Sequence, residues 1–588
     1  MNGFSRALRR LAPSLLACIA LLAASRAPAW PALGGTGVVV CDAPGLPNLA
    51  GSAPDGHGGV FIGWTDARTG QPRVFAQHVD GAGTPLWTAD GIQLNSSTVF
   101  EPPRLVSDGA DGVIIVWRDF RADTAGNVYA QHLSSNGIKL WGSSDVAVAA
   151  GPLHETYPSV SSDGVGGAFV AWSDDRTGTS DVRVQRLTAQ GGLDWGPDGV
   201  PLSAPWTGNF PIFSQVCSDA AGGALVGFSA LVSGHNNAYV QRVSPAGVPQ
   251  WTPGGVQAST STLGTSCADL AADGTGGALV ALRDNRSQNS WQQAFAQRIA
   301  ANGSLLWAQD GVPLSGSTDP VEEQNVVADG AGGGFFEWRS YLNDGSGTSL
   351  LLVQRVSAAG APQWNASTQW VASANDGGNG WLHSRLLADG TGGAVLGWNA
   401  LGTQGGFDIS AQRLAADGTR LWSAGPCVLA SPANTAWQLG LVPDGTGGAV
   451  ASWVNYLGSG IPYTVAAERV MGTGTLDVSP TVPTPRGVRC DPSPARAGEA
   501  ITLRFRMWEP GEASVGVFDV SGRLVRSLSL AIWIGPGGAA GLHPHAFEQA
   551  LVWDGRDSQG RRVPPALYLV RVRTSGSGEA SGRVVVVQ

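Results

Sequence analysis

Pro158-Ser159-Val160-Ser161-Ser162-Asp163-Gly164-Val165-Gly166-Gly167-Ala168-Phe169-Val170-Ala171-Trp172 is the stretch whose reading decides the fold. A run of small residues meets a Gly-rich turn, and an apolar run ending in Trp follows. Gly is the residue that supplies positive φ at no steric cost, so Asp163–Gly167 reads as a tight turn between two antiparallel strands. The next segments continue the pattern. Asp181-Val182-Arg183-Val184-Gln185-Arg186-Leu187 reads as a third strand. Leu193-Asp194-Trp195 leads into a short fourth at Gly199-Val200-Pro201-Leu202.

The Asp-Gly-x-Gly-Gly tag, with small variations, starts at Asp55, Asp108, Asp163, Asp219, Asp273, Asp329, Asp389 and Asp444. A four-stranded unit of 50-odd residues, repeated eight times, is the signature of an all-β, eight-bladed β-propeller. Three further columns recur with the tag. An aromatic or apolar residue ends the second strand: Trp64, Trp117, Trp172, Phe228, Leu282, Trp338, Trp398 and Trp453. A Gln lies in the third: Gln77, Gln131, Gln185, Gln241, Gln297, Gln354 and Gln412, with Glu468 in the last unit. A second Trp precedes the fourth: Trp87, Trp141, Trp195, Trp251, Trp307, Trp364 and Trp422. Columns that recur around a ring are structural: large aromatics fill the wedge between sheets and Gln satisfies buried backbone groups.

The last unit runs out at Gly472-Thr473-Gly474 without a Trp or a fourth strand, whereas Trp30 and Gly37-Val38-Val39-Val40-Cys41 supply both. The N-terminal strand is therefore expected to complete the last unit and close the ring, covering otherwise exposed edges. The chain divides into a signal peptide (1–29), the propeller (30–472), a Pro/Thr/Gly linker (473–486) and a small β-sandwich (487–588). The signal rests on Arg6, Arg9 and Arg10, an apolar stretch from about Leu11 to Ala24, and Ala27-Pro28-Ala29 as a small-residue cleavage site. This makes the expected location secreted, extracellular or cell-surface. No later segment reaches the length of a membrane-spanning helix.

Composition sets further limits. The 588 residues carry 84 Gly, 22 Trp and a net charge of −9, which gives no basic patch for nucleic acid. Past Cys18 the cysteines Cys41, Cys217, Cys267, Cys427 and Cys490 follow no zinc or redox spacing, so buried thiols are expected. No phosphate loop, dinucleotide fingerprint, zinc motif or nucleophile elbow is present, and no cofactor or metal is expected.

In the tail, Phe518-Asp519-Val520-Ser521-Gly522-Arg523, then Trp553-Asp554-Gly555-Arg556-Asp557 with Gly560, then Tyr568, resembles the immunoglobulin-like domain of flagellar hook-capping (FlgD-like) proteins and the C-terminal sorting domains of type IX-like bacterial secretion. The resemblance covers 487–588. It implies a sandwich fold and secretion machinery as a partner. The propeller half resembles the repeats of secreted bacterial proteins that carry such tails. In outline it also resembles sialidase-like propellers, without their Ser-x-Asp-x-Gly-x-Thr-Trp box.

If the N-terminal strand is outermost, the strand before each tag is innermost. The tag turns then share one face, and the loops between second and third strands and between units share the other. That second face varies, and variable loops over a propeller are where ligands sit. Its candidate ligand-binding residues are the Trp-x-Asp-x-Arg groups Asp66/Arg68, Asp119/Arg121 and Asp174/Arg176, with Glu101, Glu155 and Tyr157 from the loops between units. The alternative for the Asp–Arg pairs is that they brace a turn. The expected function is a non-catalytic binding module for an extracellular glycan or protein, with an acidic glycan suiting the arginines. The alternative is a sialidase-like or other glycan-cleaving enzyme built on paired carboxylates, although the propeller holds only six Glu: Glu101, Glu155, Glu322, Glu323, Glu337 and Glu468.

Overall fold

The computed structural model describes Trp30 and most of residues 37–473 and 489–587. It leaves out several stretches between them, chiefly 203–211, 287–291, 343–347, 365–369, 376–382, 402–406, 432–435, 456–462 and 532–546. The expected signal peptide (1–29) and nearly all of the expected linker lie outside the described residues. The chain separates into two units, Ala32–Asp477 and a second that contains Val478–Gln588.

Among the described residues every regular element is a strand. In the larger unit they form four-stranded antiparallel sheets in which consecutive strands pair, as in sheet three: Glu155–Ser162, Ala168–Asp174, Asp181–Leu187 and Val200–Pro201. Numbered along the chain, the sheets begin with first strands Asn48–Pro54, Arg104–Ser107, Glu155–Ser162, Ile212–Ser218, Thr265–Ala272, Val321–Ala328, Ser384–Ala388 and Ala436–Pro443. Each first strand packs on the first strand of the next sheet, and the eighth packs on the first. The sheets thus close a ring with the first strands innermost, in the manner of a β-propeller. Val38–Cys41 pairs with Thr464–Val470 as the outer strand of sheet eight, with Val39 opposite Ala466.

The tag is explained atom by atom. In sheet three Gly164 and Gly166 have φ of 78° and 92°, and a Cβ on Gly167 would stand 2.1 Å from the Leu187 carbonyl oxygen. The first two glycines are required by dihedral and the last by close approach. The aspartate caps the turn: in all eight tags Oδ1 accepts the amides two and four residues on, at 2.7–3.0 Å. Its Oδ2 meets the basic side chain that follows the Gln column, His78 or His132 in the first two sheets and Arg186, Arg242, Arg298, Arg355, Arg413 and Arg469 in the rest, at 2.8–3.2 Å.

The columns also tie neighbouring sheets together. Each second-column Trp donates its indole N–H to a carbonyl of the following sheet, from Trp87 to Ser135 at 2.7 Å through Trp422 to Gly472 at 3.1 Å. Arg298 reaches Ala358 O, and Arg469 closes the circle by donating to Gly81 O at 3.1 Å. Gln77 shows the role of its column, accepting from the His78 and Trp87 amides and donating to Thr88 O. The described thiols Cys41, Cys217, Cys267 and Cys427 are free.

In the smaller unit a three-stranded sheet (Arg489–Asp491, Ile501–Met507, Phe547–Trp553) and a five-stranded sheet share one core around Ile501, Val515, Trp553, Tyr568 and Val570. Trp553 packs edge-on against Tyr568, whose hydroxyl donates to Pro564 O.

The capping pair is testable. Asp273 is buried against Arg298, so Asp273→Ala leaves a buried guanidinium without its counter-charge and should cost about 3–5 kcal/mol in denaturant unfolding. The same change at Asp111, exposed and paired only with exposed His57, should stay within about 0.5 kcal/mol. A second expectation concerns Glu468, which stands in the Gln column. Burial pushes its carboxyl up to about 9 against a single lowering bond from the Arg469 amide, and Oε2 meets no partner among the described residues. The folded state therefore holds a proton that the unfolded chain releases above its ordinary 4.5. This group's contribution to stability is complete below that value and declines as pH rises toward about 9. Glu468→Gln should raise the unfolding midpoint, and by more at pH 8 than at pH 5; an equal gain at both would refute the assignment.

Candidate functional site

The face opposite the tag turns carries the loops between sheets, and here the structure sorts the sequence candidates into two groups. Asp66, Asp119 and Asp174 have no exposed surface. Asp119 and Asp174 accept the indole N–H of Trp117 and Trp172 at 3.0 and 2.8 Å, and Asn455 does the same for Trp453 in sheet eight. In sheets two and three the aspartate thus serves the buried tryptophan two residues before it, whereas Trp64 Nε1 in sheet one meets no partner among the described residues.

Its arginine folds back onto it. Arg68 Nη2 lies 2.5 Å from Asp66, with its guanidinium 4.2 Å from the Phe75 ring centroid. Arg121 bonds Asp119 and Asp145 and lies 4.0 Å from the Tyr129 ring centroid. Arg176 bridges Asp174 and Asp198. Asp284 and Arg286 repeat the device in sheet five over Phe295. In the structure these six residues pair within their own sheets, the arrangement the sequence offered as the alternative to a ligand pocket. Each pair braces the loop of its own sheet, because a buried carboxylate that accepts the amide two residues on holds the nearest guanidinium inward.

Glu101 and Tyr157 lie elsewhere, on the rim between sheets two and three, and the structure brings them together. Glu101 Oε1 receives Arg118 Nη1 at 2.8 Å, and Glu101 Oε2 receives the Tyr157 amide at 3.1 Å. Arg118 also donates to Ala125 O, which His154 Nδ1 approaches at 2.8 Å. Tyr157 is 48% exposed and its φ is 53°, a left-handed backbone on a residue with a Cβ. It sits where the ladder between the first two strands of sheet three is irregular, between Thr156 and Ser159. Such strain persists only where its surroundings over-determine it, and bulges of this kind re-aim side chains beside functional sites. Glu323 and Gln438 occupy the same position in sheets six and eight, with φ of 41° and 57°.

Glu155, two residues before Tyr157, is buried, opposite Asp174 in the ladder. Its Oε1 accepts the Gly151 amide at 2.8 Å, and its Oε2 meets no partner among the described residues. Burial, opposed by that amide, raises the carboxyl to about 7, with Asp174 pushing further up and Arg176 pulling down.

Sequence reasoning missed Arg118 and its counterpart. Arg118 and Arg339 each follow the second-strand Trp, and Glu101 and Glu322 each lie seven residues before a tag aspartate. The same Glu–Arg pair therefore forms twice, in sheets two and six, four steps apart around the ring. The shared offset from the tag was the available signal. Beside the second pair, His383 Nδ1 lies 2.9 Å from Glu323. No group of His, Cys, Asp or Glu among the described residues is arranged to hold a metal ion, and no helix there is long and apolar enough to cross a membrane.

No protein-family model matches the sequence, and neither does any curated protein. Solved structures do match in shape. A polysaccharide lyase of family PL25, an ulvan lyase bound to -[GlcA(1-4)Rha3S]-, is 10% identical with a TM-score of 0.40, covering 69% of this chain and 96% of its own. An α-L-arabinanase of Penicillium chrysogenum in complex with arabinobiose is 12% identical with a TM-score of 0.32, covering 55% and 94%. A protein of unknown function from Dyadobacter fermentans is 16% identical with a TM-score of 0.32, covering 54% and 94%. At these scores no residue role is carried across.

The bracing role has a measurable consequence. Arg68→Ala should lower stability to urea by about 3 kcal/mol, because it strands the buried Asp66 carboxylate. A residue that only contacts ligand would leave the unfolding midpoint where it was.

Proposed function

We propose that the larger unit is an eight-bladed β-propeller that acts outside the cell as a glycan-binding module, gripping a hydroxyl-rich, acidic sugar chain at the rim between sheets two and three. The observation that carries this reading is Tyr157: an exposed aromatic held on a left-handed backbone, with its amide fixed by Glu101 and Glu101 fixed in turn by Arg118. An exposed ring offers an apolar face for the C–H surface of a sugar, while the neighbouring carboxylate, guanidinium and His154 imidazole offer bonds to hydroxyls and acidic groups. We also propose that the smaller unit is an immunoglobulin-like sandwich of the flagellar hook-capping type that serves secretion or surface attachment. Its two sheets around Trp553 and Tyr568, and the motifs at Phe518–Arg523 and Trp553–Asp557, support this.

Glycan cleavage is the second reading, and one observation favours it: Glu155, beside the same rim, titrates near 7, where a general acid works. Against it, Glu155 has no exposed surface, and Glu101 is held by Arg118. The full chain tested on an oligosaccharide array, followed by titration of the best ligand, separates the readings. Binding without release of reducing ends or unsaturated sugars is expected. Tyr157→Ala should weaken it roughly tenfold, within the range for loss of an aromatic anchor, and Glu155→Gln should leave it unchanged. Turnover that disappears in Glu155→Gln would replace the binding reading with the cleaving one. Equal affinity of Tyr157→Ala and the parent chain would remove the rim as the site.

A further inference from the structure

The Glu–Arg pair of sheet six stands in the same setting as its twin in sheet two. In both, the guanidinium lies over an aromatic ring two residues on, Arg118 at 5.1 Å from the Phe120 centroid and Arg339 at 4.7 Å from that of Tyr341. In both, a histidine stands directly before the first strand of the following sheet, His154 before Glu155–Ser162 and His383 before Ser384–Ala388. Sheet five has Arg283 in the arginine's position, but the residue opposite it is Ser266. A column that braced the ring would recur in every sheet, and this setting occurs in two.

The ladder fixes where the groups of sheet six face. Glu322 is opposite Arg339 and Gln324 is opposite Trp338, so Glu323, with a φ of 41°, is the extra residue of a bulge. Glu337 accepts the Ser384 hydroxyl of sheet seven, and Arg339, two residues on in the same strand, shares its face. Glu323 reaches His383 on that side too. Two consecutive carboxylates therefore stand at the rim between sheets six and seven.

This cluster is built the opposite way to the Asp–Arg braces. There the carboxylate has no exposed surface and draws the guanidinium in. Here the Arg339 side chain is 1% exposed and that of Glu322 is 54% exposed, so a buried cation presents a carboxylate to solvent. Each side chain also commits only one of its polar atoms. Glu322 Oε2 receives Arg339 Nη2 at 2.5 Å and the Tyr341 hydroxyl at 3.3 Å, while Oε1 meets no partner among the described residues. Glu323 Oε1 meets His383 Nδ1 at 2.9 Å, while its buried Oε2 meets none. A carboxylate only accepts, so His383 Nδ1 carries the proton, which leaves Nε2 of a neutral ring as an acceptor.

We propose that the rim between sheets six and seven is a second sugar site, which takes an uncharged sugar residue by its hydroxyl groups. The proposal rests on the reading of the larger unit as a glycan binder. Glu322 Oε1 and His383 Nε2 are acceptors on side chains whose other polar atoms are already held, so little rotamer freedom is lost when a donor arrives. Adjacent sugar hydroxyls are such donors, and a hydroxyl seated at the bulge would also give Glu323 Oε2 the bond it lacks, relieving the cost of a buried acceptor left unpaired. Hydrogen bonds to ionised groups are the stronger kind. A uronic acid or sulfated residue would set its own charge against two carboxylates. That separates this site from the rim between sheets two and three, where a single Glu stands with an arginine and the exposed Tyr157.

The test compares the full chain, the double variant Glu323→Gln/His383→Ala, and Tyr157→Ala on one array of uncharged and uronic acid-bearing oligosaccharides. The uncharged chain that binds best is then titrated calorimetrically. The parent should bind chains of both kinds. The double variant should keep the acidic chains and lose affinity for the uncharged one roughly tenfold or more, within the range for hydrogen bonds to charged groups. Tyr157→Ala should do the reverse. O-methylation of the uncharged chain should abolish its binding to the parent, because a methyl ether cannot donate. A second readout needs no variant and decides the matter where the double variant fails to fold. The uncharged chain should slow amide hydrogen exchange of the parent in Val321–Ala328 and Ser384–Ala388 and leave Glu155–Ser162 as it was. The proposal is overturned if the parent binds no uncharged chain, if a folded double variant binds it as the parent does, if the O-methylated chain still binds, or if the protection falls on Glu155–Ser162 alone. Acidic chains bound without any uncharged one would sink this site and spare the rim between sheets two and three. Acidic chains held unchanged by Tyr157→Ala would sink that rim and spare this site.

Discussion

The ring depends on one contact made eight times, the tag aspartate gripping its own hairpin with one oxygen and a basic side chain of the third strand with the other. A carboxylate out of water is costly unless every lone pair is used. Here two amides and a guanidinium or imidazole use them, and in seven of the eight sheets the aspartate is buried. The cation is itself placed by the Gln before it, which accepts the cation's backbone amide, and from sheet four onward it also reaches a carbonyl of the following sheet. In those sheets intra-sheet and inter-sheet order are thus held by the same side chain, and closure by Arg469 onto Gly81 is the fifth in a run of the same contact, with no special joint.

This arrangement explains why polar groups are safe in an interior otherwise built of Val, Ala and Trp. Every second-column indole has a carbonyl to donate to, and several first-column indoles have an Asp or Asn two residues on. The Trp-x-Asp-x-Arg groups belong to the same logic. They look like surface chemistry in sequence because they are charged and uneven around the ring, yet the unevenness follows which sheets place Asp beside a buried residue and which use Ala, Ser or Asn. Glu468 is the exception within the Gln column, a carboxylic acid kept protonated by burial where its seven counterparts are amides.

The proposed rim site lies where this economy breaks. Tyr157, Glu323 and Gln438 hold left-handed backbones at the irregularity in the first strand. These sites lie on the innermost strands or their leading loops, where side chains leave the packed wedge between sheets and meet the axis or the rim. A repeat protein can vary those positions freely, because the Asp, Gln and Trp columns already carry the fold.

The sequence alone established the all-β class, the four-stranded repeat, the separate character of the tail and the expectation that the N-terminal strand joins the last unit. All of these follow from periodic local signals: the turn glycines, period-two strands and fixed columns. It also contained the Glu–Arg coincidence at Glu101/Arg118 and Glu322/Arg339, although that was visible only once offsets were counted from the tag. Tertiary structure alone decided which charges face each other. Arg68, Arg121 and Arg176 turn inward because a buried carboxylate lies two residues before each, while Glu101 and the Tyr157 amide, 56 positions apart in the chain, meet only because sheets two and three pack side by side. Local pattern fixes what each strand is, but the partner of a charge is set by distances across the ring that no local pattern encodes.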